Sequence, residues 1–315
     1  MRTLEISREE AGRRLERYLM RMFPTAPRSF LYKALRTNKI KVNGRKPLDL
    51  NYMLQESDVL SVYFTEEQWQ EFSRKTEERS GSKGSPVTVP VLYEDEDLII
   101  FNKPAGLLSQ KDHTGEASLN EIGRQMLEDG GLVFSGSFRP GVCHRLDRNT
   151  AGAVIMAKNL KAAQAVQELI ASKKLEKYYT AVTEGRIPWK TRTLKGYWIK
   201  DEKSNRAKVL EQFVPGSSPI ELICRVKATT AVFSLVEICL LTGKSHQIRA
   251  QLAGAGFPLV GDSKYGGGAG KGQLLCANRL VFPDCPPSLE NMTGKVINAP
   301  LPKAMQEFIN KTFSK

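Results

Sequence analysis

Residues 66–88 divide this chain, because nothing in them can build a core. Glu66-Glu67, Glu77-Glu78-Arg79 and Ser80-Gly81-Ser82-Lys83-Gly84-Ser85-Pro86 mix charge with glycine and serine. Such a composition carries too little apolar surface to offset the entropy of ordering. The expected organisation is a small module over residues 1–65, a flexible linker over 66–88 and a larger domain over 89–315. Trp69 and Phe72 are placed to dock transiently on a neighbouring surface. At 315 residues the chain is long enough to bury a sizeable core in its larger part.

The larger part shows strands and helices without regular alternation. Leu98-Ile99-Ile100-Phe101, closed by Lys103-Pro104, and Ala153-Val154-Ile155-Met156-Ala157 have the length and composition of buried strands. Residues 178–183 and 231–241 read as further strands. Residues 160–174 read as a helix with Leu160, Ala163, Val166, Leu169 and Ile170 inward. Residues 245–255 read as another, stopped by Gly256 and Pro258. A doubly wound parallel sheet is disfavoured; the expected class is α+β, with a largely antiparallel mixed sheet. The segment from Tyr265 to Gly272 has the wrong glycine spacing for a phosphate loop, and Gly272 stands where that loop needs Ser or Thr, so it reads as a flexible loop.

The small module reads as two helices followed by strands. Leu15, Leu19 and Met22 share one helical face that ends at Pro24. Residues 29–36 carry Phe30, Leu31, Ala34 and Leu35 at helical spacing, with Ser29 able to cap. Ile40-Lys41-Val42 and the turn Asn43-Gly44 give a hairpin signal, followed by the apolar stretch 59–64. Arg13, Arg14, Arg17, Arg21, Arg28, Lys33, Arg36, Lys39 and Lys41 crowd this module. They read either as a solvated face or, given their density, as a phosphate-binding surface.

Charge and thiol usage narrow the partners. Lys plus Arg number 47 against 34 Asp plus Glu, a formal net charge of +13. That excess points to nucleic acid first and an anionic membrane surface second. No run approaches the roughly 18 apolar residues of a membrane span, and the polar, acidic start does not read as a secretion signal. Cysteines 143, 224, 239, 276 and 285 include no Cys-x-x-Cys pair, which fits reduced thiols in a cytoplasmic protein. Histidines 113, 144 and 246 are scattered, so no metal site is expected.

The most informative segment is His144-Arg145-Leu146-Asp147-Arg148-Asn149-Thr150-Ala151-Gly152. It sets one carboxylate between two arginines, directly before a buried strand. An Asp in a loop clamped to a core can act as nucleophile or general base; the competing reading is a surface salt-bridge cluster. Cys143 and His144 do not read as a thiol nucleophile with its base, since adjacent residues of an extended segment point apart.

This wording resembles the His-Arg-Leu-Asp-Arg-x-Thr-[Ser/Ala]-Gly signature of the RluA-type pseudouridine synthases. Lys177-Tyr178-Tyr179-Thr180-Ala181-Val182 and Leu241-Thr242-Gly243-Lys244-Ser245-His246-Gln247-Ile248-Arg249 match the same family in the same order, with a weaker match at Glu96-Asp97 and Asn102-Lys103-Pro104-Ala105-Gly106. Together they span about residues 90–300. The small module, in Arg14-Leu15-Glu16-Arg17-Tyr18-Leu19 and Lys41-Val42-Asn43-Gly44, resembles an S4-type RNA-binding domain of α/β build. Ala151, Lys244 and Gln251 depart from the commonest family wording.

The resemblance implies an RNA uridine isomerase that needs no cofactor and no metal. It implies Asp147 as the catalytic carboxylate, Arg249 as its ion-pair partner through a bidentate contact, and Tyr179 stacked on the target base. It implies that Arg145 fills the space of a flipped nucleotide and that Arg148 meets phosphate or braces the loop. His144 and His246 are expected as bracing hydrogen-bond partners. Arg14, Arg17, Lys33, Arg36 and Lys41 are the expected RNA contacts of the module. Within the family, the architecture resembles enzymes of large-subunit ribosomal RNA, with transfer RNA the second substrate; the oligomeric state stays open, and a monomer is compatible with either. Two other classes stand beside it. One is a non-catalytic RNA-binding factor of ribosome assembly, which would have no use for Asp147, Tyr179 and Arg249 together. The other is a hydrolytic glycosidase, which needs a second carboxylate that the sequence does not place beside Asp147.

Overall fold

The computed structural model describes residues 1–8, 10–47, 49–73, 88–112, 114–132, 138–201, 206–268 and 272–314. His113, residues 74–87 of the expected linker and residues 269–271 of the glycine-rich loop lie outside them. The described residues fall into two compact units, one built mainly of residues 1–85 and one mainly of residues 86–315.

The first unit runs β1 (Arg2–Glu5), α1 (Leu15–Met22), α2 (Arg28–Arg36), β2 (Ile40–Val42), β3 (Val59–Val62) and α3 (Glu66–Ser73). Its sheet has the order β1-β3-β2, with both pairings antiparallel. The apolar spacing of the two helices brings Leu15, Leu19, Leu31 and Leu35 together with Ile40, Leu60 and Val62 in one core. Two sequence expectations change here. Ser29 is not a cap, because α2 starts one residue earlier, on Pro27 (φ −59°), whose carbonyl accepts the N–H groups of Phe30 and Leu31. The stretch from Glu66 is not linker at first: α3 buries Phe72 in the core, and Trp69 meets Phe23 edge-on at 5.0 Å. Apolar burial of this kind contributes about 1.5–3 kcal/mol per large side chain, enough to order one short helix.

The second unit is α+β. It contains β4 (Val91–Glu94), β5 (Leu98–Lys103), α4 (Leu119–Asp129), β6 (Gly141–Val142), β7 (Ala151–Ala157), α5 (Leu160–Ala171), β8 (Glu176–Glu184), β9 (Thr191–Asp201), β10 (Arg206–Leu210), β11 (Ser218–Thr229), β12 (Phe233–Leu240), α6 (Gln247–Gly254), β13 (Leu275–Val281), β14 (Val296–Asn298) and α7 (Lys303–Phe313), apart from residues 126–129 of α4 and 160–161 of α5, which group with the first unit. An 11-stranded sheet follows the order β10-β9-β11-β12-β8-β13-β7-β5-β4, with β14 paired to β13 and β6 paired to β7 off this path. It is antiparallel throughout except where β13 runs parallel to β7. β7 is buried along its whole length, as its apolar run requires. Ala153, Ile155 and Ala157 pack with Ala162, Val166 and Leu169 of α5, while Met156 and Phe101 close on Gly123 of α4. α5 ends before residue 174 because Lys173 takes a left-handed φ of 59°, and its buried stripe is Ala162, Ala165, Val166 and Leu169.

Candidate active site

Asp147 lies in the turn between β6 and β7, and that turn is braced on every side. The Asp147 carbonyl accepts the Thr150 N–H at 3.0 Å. Ser109 Oγ donates to the Leu146 carbonyl at 2.9 Å and accepts the Leu146 N–H at 3.0 Å. Lys103, fully buried, donates from Nζ to the carbonyls of Pro104, Leu107 and Arg148. Burial lowers its pKa to about 8, with Asp147 opposing. Leu146 points into the core while Arg145 and Arg148 are exposed. Arg148 supports the loop: its Nε donates to the Gly106 carbonyl at 3.1 Å, and it pairs with Glu116.

His144 ties the turn to β7. Its Nε2 accepts the Ile155 N–H at 3.2 Å, so the ring must be neutral to serve. Burial and the nearby Lys177 push its pKa down to about 3. The unfolded chain protonates this group near its ordinary value and the folded chain does not, so stability is lost as pH falls from about 6.5 toward 3. The loss from this group should reach about 2 kcal/mol at pH 5. Urea titrations at pH 7 and pH 5 check it: the wild-type difference should shrink in His144→Gln, and an equal pH dependence in both would contradict this account.

Arg249 is the third residue of α6. That helix begins at Gln247 and not at 245, because His246 takes a left-handed φ of 56°. Arg249 Nη1 donates to Asp147 Oδ2 at 3.1 Å. The expected bidentate contact exists, but with another carboxylate: Nε and Nη2 donate to the two oxygens of Asp262 at 2.7 and 2.8 Å. Burial disfavours the guanidinium charge, and the two carboxylates outweigh it, Asp262 foremost. The side chain of Asp262 is 1% exposed and that of Asp147 22%, so of the two acids Asp147 is the one a ligand can touch. The second acid that sequence did not place beside Asp147 is therefore present, but both its oxygens are engaged by the arginine.

Tyr179, on β8, is 5% exposed. Burial first, then Asp147 and Cys276, raise its pKa far above the ordinary phenol value, so it stays protonated. Tyr178 faces the other side of the sheet, with its hydroxyl on Glu176 at 2.8 Å and Arg279 4.1 Å from its ring centre. His246 Nδ1 shares a 2.9 Å hydrogen bond with the Tyr265 hydroxyl. Asp147, Arg148, Asn149, His246, Arg249 and Lys264 line a cavity of about 500 Å3. A second cavity of about 510 Å3, beside Arg186, Trp189 and Lys190, contains none of the expected site residues.

In the first unit, Arg14, Arg17, Lys33 and Arg36 are exposed, while Lys41 is half-buried with its ammonium 5.5 Å from the Tyr63 ring. Arg13 is buried and drops out of the exposed set. Sequence reasoning missed Asp262 and Tyr265, and nothing local marks either; their roles are set by where the loop after α6 returns. Among the described residues, no three His, Cys, Asp or Glu side chains converge as metal ligands, and no helix is long and apolar enough to cross a membrane.

The antiparallel α+β sheet of the second unit agrees with what known proteins show. Residues 97–254 match the RNA pseudouridylate synthase family. The ribosomal large subunit pseudouridine synthase C of Pasteurella multocida is 30% identical over 271 residues, covering 84% of this chain and 78% of that one. The uncharacterized RNA pseudouridine synthase YlyB of Bacillus subtilis is 29% identical over 310 residues, covering 96% and 95%. The solved human RNA pseudouridylate synthase domain containing 4 shares the fold, with a TM-score of 0.57 and 20% identity over 70% of this chain and 92% of that one. The chain belongs to the RNA pseudouridylate synthase family, and it is an isomerase acting on RNA.

Proposed function

We propose that this chain converts uridines of large-subunit ribosomal RNA to pseudouridine, with Asp147 as the reacting carboxylate. The observation that carries the assignment of Asp147 is its position: a partly open carboxylate at the cavity wall, held by Arg249 at 3.1 Å. The reaction breaks the N1–C1′ bond, turns the uracil and joins C5 to C1′, so it needs an anion near the sugar and a space for the freed base. As a nucleophile, Asp147 would bond to carbon while uracil leaves; as a base, it would take the C2′ proton. In both routes the Arg249 guanidinium orients the carboxylate, and charge-assisted hydrogen bonds are the strong ones. Tyr179, kept neutral by burial, suits packing against the base better than proton abstraction. Arg145, exposed two residues away, would fill the space of the flipped nucleotide and offset part of the few kcal/mol that extrusion costs. The first unit, with Arg14, Arg17, Lys33 and Arg36 exposed and Lys41 half-buried, would bind phosphate in the manner of an S4-type domain and add affinity without chemistry.

The ribosomal assignment follows the names of relatives that align over most of their length. It is tested by mapping carbodiimide-modified pseudouridines in ribosomal and transfer RNA from cells with and without the gene. The expected result is loss of discrete sites in large-subunit RNA. Loss confined to transfer RNA would overturn the substrate, and loss nowhere would overturn the proposal.

A further inference from the structure

Arg249 reaches Asp147 with one nitrogen and is itself held by another residue. An arginine that touches a partly exposed carboxylate through a single contact is weakly fixed, since such pairs are worth little and the side chain has several free torsions. Here two further donors, Nε and Nη2, lie on Asp262 at 2.7 and 2.8 Å, with that carboxylate 1% exposed. A planar fork bound at two points has no rotational freedom left.

The loop that carries Asp262 is rigid for stated reasons. The Asp262 N–H donates to the Leu259 carbonyl at 3.1 Å, and its own carbonyl accepts the N–H groups of Tyr265 at 3.0 Å and Gly267 at 2.9 Å. Gly267 approaches Leu259 so closely that a Cβ would lie 2.0 Å from the carbonyl oxygen. The Tyr265 ring covers the guanidinium at 4.9 Å, and its hydroxyl accepts the Ala207 N–H of β10 at 2.7 Å. The Val260 N–H donates to the Val182 carbonyl of β8 at 2.9 Å. The loop is thus joined to the strand that carries Tyr179, and its partners do not depend on Asp147.

We propose that Asp262 is a positioning residue for the isomerisation: it locks two donors of Arg249 so that the third, Nη1, sets the orientation of Asp147 toward the nucleotide. The inference rests on Asp147 being the reacting carboxylate. Asp262 stands in the wall of the cavity but offers no open oxygen to RNA, because Arg249 engages both of them and the side chain is 1% exposed. Its contribution therefore falls on turnover and not on affinity.

The test measures kcat and KM for tritium release from RNA containing 5-tritiated uridine. Asp262→Ala should lower kcat about 100-fold, the scale of a small misplacement at a reacting centre, with KM within about twofold of wild type. Formate, which can re-enter the vacated slot as a carboxylate, should restore kcat about tenfold, and neutral formamide should not. Asp262→Asn, which keeps volume and loses charge, should be similarly impaired. A kcat within about threefold of wild type in either variant, a loss confined to KM, or equal rescue by formamide would overturn the proposal.

Removing one partner of a buried ion pair is strongly destabilising, so a second measurement uses chains that keep Asp262. The Arg249 Nε–H signal should exchange slowly with water in wild type and equally slowly in Asp147→Asn. Fast exchange in Asp147→Asn would mean that Asp147 holds the guanidinium, and the proposal would fail. Asp147→Asn also separates the two readings. Turnover retained in that variant removes Asp147 from the chemistry, whereas an inactive Asp147→Asn beside a fully active Asp262→Ala removes the clamp alone.

Discussion

Gly152→Ala should cost both the fold of the second unit and its activity. Gly152 follows the Asp147 turn and lies in the parallel pairing of β7 with β13, opposite Ala277. Its φ is 120°, which L-residues rarely adopt, and a Cβ would lie 2.2 Å from the Ala277 carbonyl oxygen and 2.7 Å from its nitrogen. The three nearest atoms are all Ala277 backbone, so no flexible side chain is there to give way. The strand would have to separate from β13, and Thr150, whose hydroxyl accepts from Gln273 Nε2 at 3.1 Å, would move with it. Overpacking plus a disallowed φ should destabilise by about 3 kcal/mol or more, which lowers the midpoint of thermal unfolding by roughly 6–12 °C. The displaced turn should also lower kcat by about 100-fold. Thermal denaturation with initial-rate measurement checks both; a wild-type midpoint and rate would show that the close approach at Ala277 is not required.

Local pattern revealed the parts of this site that are built locally. The apolar run at 153–157 announced a buried strand, and β7 is buried along its whole length. The opposite facing of Tyr178 and Tyr179 followed from strand geometry alone. The helix over 160–174 was legible in kind but too long, because its end depends on one left-handed residue, Lys173, of a type that does not favour that conformation. The start of α6 was hidden for the same reason at His246.

Long-range placement stayed hidden. Asp262 lies 13 residues beyond Arg249 in an unremarkable stretch, and the two meet because the loop returns beneath α6 through the Leu259 and Val260 backbone contacts. The bidentate partner of Arg249 was therefore assigned to the one acid a family motif offered, Asp147. The parallel pairing of β7 and β13 joins residues more than a hundred positions apart and leaves no periodic signal. Composition described residues 66–88 as linker, yet Trp69 and Phe72 supplied enough apolar surface to add α3 to the small core. Two large side chains outweighed the charged residues around them, because burial energy depends on area and not on average composition.

The direct test of the whole account is Asp147→Asn. The exchange keeps shape, and Arg249 remains held by Asp262, so the fold and RNA affinity should persist within about threefold. What is lost is the anion that either attacks carbon or takes the C2′ proton, and neutral amides do neither at a useful rate. Tritium release from large-subunit RNA carrying 5-tritiated uridine should fall at least about a thousandfold, with binding to the same RNA retained. Turnover near the wild-type rate in Asp147→Asn would show that the carboxylate at the cavity wall does not carry the isomerisation.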